Sequence, residues 1–236
     1  FVACPDFRFV IFALMDKTDD FYRSIAKDTE AELKEKGSKF IAYLFPVKTP
    51  TAFDARLEVL RSLHHKANHL CYAYRLVEED KYRFNDDGEP SGTAGRPILN
   101  QLKSANLKNT ACVVVRYFGG TKLGTSGLIS AYKEATVAAI AQADIAECYI
   151  EESLRVSFDY SIMGNLMDAI KSMDYAIAET RFDSKPSLLL KIRRSYLKEA
   201  PARIMARLLG RSVEDIDETT KVEGLRFEQT ETGKQS

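Results

Sequence analysis

The sequence has no tryptophan and only three histidines in 236 residues, so neither indole anchors nor histidine-rich metal chemistry is on offer. Its four cysteines, Cys4, Cys71, Cys112 and Cys148, are widely separated and form no CxxC pair or disulfide framework. Such usage fits a reducing compartment in which thiols are small buried side chains, and predicts a cytoplasmic protein without disulfides. No apolar run approaches the ~20 residues of a bilayer-spanning helix. The opening stretch FVACPDFRFVIFALM is interrupted by Asp6 and Arg8 and has no basic lead, so neither membrane insertion nor a signal peptide is predicted. Met15 followed by DKTDD reads instead as an initiator, with residues 1–14 as an extended start. Net charge is missing too: 34 basic and 34 acidic residues cancel, which removes any whole-molecule field toward nucleic acid.

What is present is an ordinary globular composition, 45% apolar and 29% charged, in a chain long enough for two modest domains. The charge is unevenly spread. Between Arg96 and Lys133 lie Arg96, Lys103, Lys108, Arg116, Lys122 and Lys133 with no acidic residue. Between Lys185 and Arg211 lie Lys185, Lys191, Arg193, Arg194, Lys198, Arg203, Arg207 and Arg211, against Glu199 alone. Basic stripes of this kind can bind polyanions even in a neutral chain.

Periodicity divides the chain near Cys148. Ahead of that point, residues 38–47 read as a strand, and Phe53, Leu57, Leu60 and Leu63 recur at helical spacing. Leu70, Tyr72, Tyr74 and Leu76 alternate as a strand, residues 111–118 form a buried strand, and an Ala-rich helix is predicted over 125–146. Behind it, strand, helix, strand, strand, helix and strand follow between Leu154 and Phe227, the βαββαβ order of a ferredoxin-like domain. The expected organisation is a 1–20 extension outside the core, domains at 21–147 and 148–228, and a frayed 229–236 tail.

Two motifs carry chemistry. Residues 87–97, DGEPSGTAGRP, contain too little apolar material to be anything but a shaped loop. It reads either as a turn capped by Ser91 or Thr93, or as a binding loop in which Asp87 and Glu89 accept hydrogen bonds and Gly88 and Gly92 let a ligand approach the backbone. Residues 116–128, RYFGGTKLGTSGL, join the buried strand to the Ala-rich helix. Gly119, Gly120, Gly124 and Gly127 leave backbone N–H groups free to converge at a helix N-terminus, beside Arg116 and Lys122, which predicts an anion site of phosphate type. The spacing fits neither a Walker A loop nor GxGxxG. Arg96, Arg193 and Arg194 are further candidates for polyanion contacts. His65, His69 and Cys71 are metal-ligand types near one another, and His69 lies two residues from Cys71 as a base would from a thiol; neither arrangement has the remaining partners nearby in sequence, so no metal site, catalytic residue or cofactor is predicted.

The motifs DGEPSGTAGRP and RYFGGTKLG-x-SGL, the AYKEA that follows and the upstream NHLCYAYRL together resemble the IMPACT family of two-domain proteins, over residues 21–228. The resemblance implies an α+β fold whose first domain is similar to domain IV of elongation factor G and to the second domain of a small-subunit ribosomal protein. It implies a second domain similar to domain V of elongation factor G. Together with the two basic stretches it points to a non-enzymatic factor associated with RNA or the ribosome and acting in the regulation of translation; the residues themselves predict no membrane partner and a phosphate-containing ligand in the glycine loop. An enzyme acting on a phosphorylated small molecule or nucleotide, with Asp87 or Glu89 as base or Mg²⁺ ligand, is the alternative, and a protein-interaction scaffold is the third.

Overall fold

The computed structural model describes residues 20–230. The expectations about Cys4, Met15 and the extension up to residue 19, and about residues 231–236, lie outside the described residues. The chain divides into two compact units, one from Tyr22 to Cys148 and one from Tyr149 to Thr230 that also takes in Asp20 and Phe21.

The first unit is built on a five-stranded antiparallel sheet in the order β2-β3-β6-β4-β5. Its strands are β2 (Thr29–Glu35), β3 (Ser38–Pro46), β4 (His69–Arg75), β5 (Tyr82–Asn85) and β6 (Thr110–Tyr117). A further pair, β1 (Phe21–Ile25) and β7 (Ile145–Tyr149), forms a separate ribbon. Helices α2 (Gly95–Ser104) and α3 (Gly124–Gln142) cover one face of the large sheet, where Phe40, Ala42, Cys71, Cys112 and Val114 meet Ile98, Leu102, Leu128 and Tyr132. Helix α1 (Pro50–Leu63) covers the other, where Ile41, Phe45, Tyr72, Val113 and Val115 meet Phe53, Leu57 and Leu60. Central β6 is therefore buried on both faces, which is why its sequence is apolar without alternation. α1 starts at Thr49, whose hydroxyl accepts the Ala52 N–H, with Pro50 in the first turn.

Three differences from the sequence expectations have physical causes. Leu63, placed on the buried stripe of α1 by spacing, is 64% exposed because the helix ends there. β2 carries only Ala31 and Leu33 as apolar residues on one face, with Glu30, Glu32 and Lys34 on the other, too weak an alternation to mark a strand at the sheet edge. The Ala-rich stretch stops being helical at Gln142, and β7 follows where helix was predicted to 146.

The second unit holds β8 (Glu151–Phe158), α4 (Met163–Ser172), β9 (Ala176–Arg181), β10 (Ser187–Arg193), the short α5 (Arg194–Leu197), α6 (Ala200–Leu209) and β11 (Leu225–Thr230). The strands pair antiparallel in the order β11-β8-β10-β9. Leu154, Val156, Phe158, Leu188, Leu190 and Ile192 pack from the sheet against Leu166, Ile170 and Ile204 of the helices. At ~1.5–3 kcal/mol for each large side chain buried, this cluster dominates the unit's stability. Asp20 belongs here: it is 2% exposed, its carbonyl accepts the Ile150 N–H and its carboxylate the Ser195 N–H. β11 also runs through Gln229 to Thr230, into the stretch expected to fray.

Candidate functional site

Both glycine-rich segments of the first unit reach the same end of the five-stranded sheet. Arg116, near the end of β6, lies opposite Phe40 on β3 and His69 at the start of β4. The 86–95 loop folds over this position from the β5 side. Asp86 organises it: its carboxylate accepts the N–H groups of Gly92, Ala94 and Gly95 at 2.9, 3.0 and 2.8 Å. The amides that the glycines expose are thus filled by the chain's own anion, which also satisfies the N-terminal amides of α2. Asp87 adopts a positive φ of 44° and accepts the Leu70 N–H at 2.7 Å, tying the loop to β4. Gly95 is required by close approach, since a Cβ there would stand 2.8 Å from the Asn85 backbone. Thr93 is buried with its hydroxyl donating to the Pro90 carbonyl, while Ser91 is exposed.

The loop delivers Glu89 into the interior. Glu89 is 8% and Arg116 5% exposed, and they form a hydrogen-bonded ion pair. Tyr132 of α3 donates its hydroxyl to the same Glu89 oxygen at 2.8 Å. The guanidinium lies 5.4 Å from the Phe40 ring centre and 5.6 Å from that of Phe118, a cation–π arrangement on both sides. His69 closes the cluster. Its Nδ1 is 2.8 Å from the Asp87 carbonyl, so that nitrogen donates, and its Nε2 stands 3.9 Å from Glu89 Oε1. Cys71 Sγ is 3.0 Å from the Asp86 carbonyl and 3.2 Å from the Tyr132 hydroxyl. Burial pushes the Cys71 thiol and the Tyr132 phenol well above their ordinary ranges, so Cys71 is held as a thiol and is a poor nucleophile.

The second segment has an inner and an outer half. Gly119 is packed against the β2–β3 hairpin, whose turn residues Lys36 and Gly37 both have positive φ; a Cβ on Gly119 would lie 1.9 Å from the Gly37 carbonyl carbon. Its N–H is taken by the buried Ser38 hydroxyl at 3.1 Å, and the Phe118 N–H by the Asn68 side chain at 2.8 Å. Gly127 lies against Leu123, the buried plug of the turn. Gly120 and Gly124 instead have φ of 86° and 73° and open space where a side chain would be. α3 then begins at Gly124 with no side-chain cap, behind exposed Lys122.

The sequence grouped Arg116 with the glycine turn and Glu89 with the other loop; in the structure these two pair with each other. Lys122, Gly120 and Gly124 remain together on the outside. Arg96 lies on α2 with its guanidinium 5.7 Å from the Phe84 ring centre. Arg193 and Arg194 belong to the second unit, the first 3.5 Å from the Tyr149 ring centre and the second paired with Glu152 at 2.6 Å. Sequence reasoning missed Asp86, adjacent to the loop it organises, and the hydroxyl of Tyr132, read only as part of an apolar helix face. Among the described residues no cluster of His, Cys, Asp and Glu is arranged to hold a metal ion, and no helix is long and apolar enough to cross a membrane.

Residues 36–140, which include both loops, match the model of the Impact N-terminal domain. IMPACT family member YvyE of Bacillus subtilis is 35% identical over 162 residues, 68% of this chain and 75% of that protein. An IMPACT family member of Haemophilus influenzae is 31% identical over 190 residues, 78% of this chain and 90% of its own length. A solved structure described as a hypothetical protein superposes with a TM-score of 0.67 at 25% identity, covering 91% of this chain and 99% of the other. The chain belongs to the IMPACT family.

Proposed function

We propose that this protein is a non-enzymatic, RNA- or ribosome-associated factor acting in the regulation of translation, and that the outer half of the glycine turn takes phosphate oxygens. One observation carries the phosphate half: α3 starts uncapped and exposed, with Gly120, Lys122 and Gly124 around its first amides. The acids that were candidates for a reaction are engaged, Asp87 by the Leu70 N–H and Arg61 and Glu89 by Arg116 and Tyr132. The translation half is supported by domain kinship. The sequence motifs imply a first domain similar to domain IV of elongation factor G, and the βαββαβ order of the second unit fits a domain similar to its domain V.

The test is fluorescence anisotropy of labelled single-stranded RNA at several salt concentrations. Lys122→Ala should weaken binding for all sequences alike and lower the salt slope by about 1. Absence of binding at low salt, or binding indifferent to that substitution, sinks the proposal.

A second reading has its own observation. With Nδ1 donating to the Asp87 carbonyl, His69 turns Nε2 toward the buried Glu89 carboxylate at 3.9 Å, and an imidazole beside a carboxylate is an acid–base pairing that an enzyme for phosphorylated metabolites could use. Thermal-shift screening against nucleotides and sugar phosphates separates the two: a ligand at a hundredfold excess over its Kd adds about 2.7 kcal/mol of stability. A flat panel counts against the enzyme.

A further inference from the structure

In the second unit, the C-terminal end of α4 and the length of α6 with the turn after it border an open cleft of about 360 Å³ lined by Ser172, Met173, Arg203, Arg207, Arg211 and Val213. The three arginines are four residues apart, which keeps them on one side as α6 runs out into the following turn. We propose that this cleft is a binding site for a phosphate-bearing ligand, separate from the glycine turn of the first unit, in which the three guanidinium groups converge on phosphate oxygens.

Bland explanations for three arginines along one side of α6 and the turn after it fail here. An arginine at such a position ordinarily neutralises a nearby carboxylate or caps the last carbonyls of the helix. Yet the ion pairs described in this unit join Arg155 and Arg181 to Glu179 and Arg194 to Glu152, and none involves Arg203, Arg207 or Arg211. The terminal carbonyls already have backbone partners. Gly210 is left-handed at φ 64°, and the Arg211 N–H donates to the Ala206 carbonyl at 2.9 Å. At the end of α4, the Met173 and Asp174 N–H groups donate to Ile170 and Lys171, and the Ser172 hydroxyl to Ala169. What remains for the guanidinium groups is one ring contact, Arg203 at 5.5 Å from the Tyr196 centre.

Three like charges around a small cleft repel one another, and an anion between them removes that cost. The choice of ion follows from geometry. A guanidinium presents paired N–H donors that match two oxygens of a phosphate, and several converging forks suit a tetrahedral, multiply charged group better than a single carboxylate. Met173 and Val213 line the remaining wall with apolar surface against which the carrier of the phosphate can rest. The carrier is either a small molecule or a nucleic-acid backbone, and the chemistry recognised is the same.

The experiment titrates the full-length chain with inorganic pyrophosphate, and separately with a single-stranded oligoribonucleotide, following arginine Nε–Hε NMR signals. Saturable shifts in the signals of Arg203, Arg207 and Arg211 are expected, with affinity falling roughly tenfold for each Arg→Gln replacement. Arg207→Lys and Arg211→Lys should fall between, because charge is kept and the fork is lost. Both positions are exposed, so these variants should keep the native spectrum elsewhere. RNA that displaces pyrophosphate identifies a nucleic-acid backbone as the source; pyrophosphate binding that RNA leaves untouched identifies a small phosphate. Saturable binding of neither probe, or equal affinity in the Arg207→Gln/Arg211→Gln double variant, overturns the proposal. Because Lys122→Ala should leave pyrophosphate affinity at this cleft unchanged, failure here and failure of the glycine-turn site are separately visible.

Discussion

Glu89 and Arg116 are worth more as a constraint than as a source of stability. A buried ion pair recovers little beyond its desolvation cost, but stripping one partner leaves the other charged, buried and alone. Arg116→Met should therefore cost about 3–5 kcal/mol in urea unfolding, and the Glu89→Gln/Arg116→Met pair markedly less than the two single changes added together. Equal additive costs would mean that the two groups are not coupled. His64 gives a pH-dependent counterpart on the opposite face of the sheet. Its ring lies between the Tyr43 and Tyr117 hydroxyls, each at 2.8 Å, and burial lowers its proton affinity, with Lys39 adding to that effect and Glu30 opposing it. A histidine depressed in the folded state is protonated first in the unfolded chain. Its contribution is thus complete above pH ~6.5 and is lost as pH falls below that value, by at most ~1.4 kcal/mol per pH unit. Urea midpoints between about pH 7.5 and 5.5 should drop more steeply for the wild type than for His64→Gln.

At the scale of the loops, glycines that look alike in sequence do different work. Gly119→Ala would drive a methyl into the Gly37 backbone at 1.9–2.0 Å, and the β2–β3 turn cannot yield without breaking the sheet edge. Gly120→Ala meets nothing within 4 Å and bears only the cost of a left-handed φ, about 1–2 kcal/mol. The first variant should fail to fold or unfold early in a thermal melt, while the second should remain native and serve as a clean probe of the outer half of the turn. Asp86→Ala should expose the Gly92, Ala94 and Gly95 amides to rapid hydrogen exchange and cost at least ~2 kcal/mol, because three charge-assisted bonds end together. These distinctions were only partly legible in the sequence. The strand–turn–helix context of RYFGGTKLG could be read because β6 is covered on both faces and so is continuously apolar. Which glycine packs and which stays open depends on the hairpin at Lys36-Gly37, about 80 residues away, and on Ser38 taking the Gly119 N–H. Likewise Asp86 could be seen beside its loop, but the pairing of Glu89 with Arg116 is a contact between distant segments that no local pattern encodes. β2 and β7 escaped because an edge strand buries one weak face and an Ala-rich run prolongs a helical pattern past its true end.

The two units do not follow the chain in one cut. Asp20 packs in the second unit through Ile150 and Ser195, yet from Tyr22 onward the residues belong to the first, so the chain crosses between units at Phe21 and again after Cys148. An excised second unit beginning at Tyr149 would lose both Asp20 contacts, leaving the Ser195 N–H at the start of α5 without its carboxylate. The first unit loses nothing comparable, because both of its core clusters, one on each face of the five-stranded sheet, are drawn from Ile25–Ala139. A fragment spanning 22–148 should therefore fold alone, with a single cooperative urea transition and native-like dispersion of its amide signals. The fragment from 149 should regain about 1–3 kcal/mol when residues 20 and 21 are restored by a short linker to its N-terminus, and Asp20→Ala should remove the share that comes from the Ser195 bond while keeping the carbonyl bond to Ile150. A 22–148 fragment that melts without cooperativity would show that its two clusters are not sufficient, and that the first unit depends on the rest of the chain.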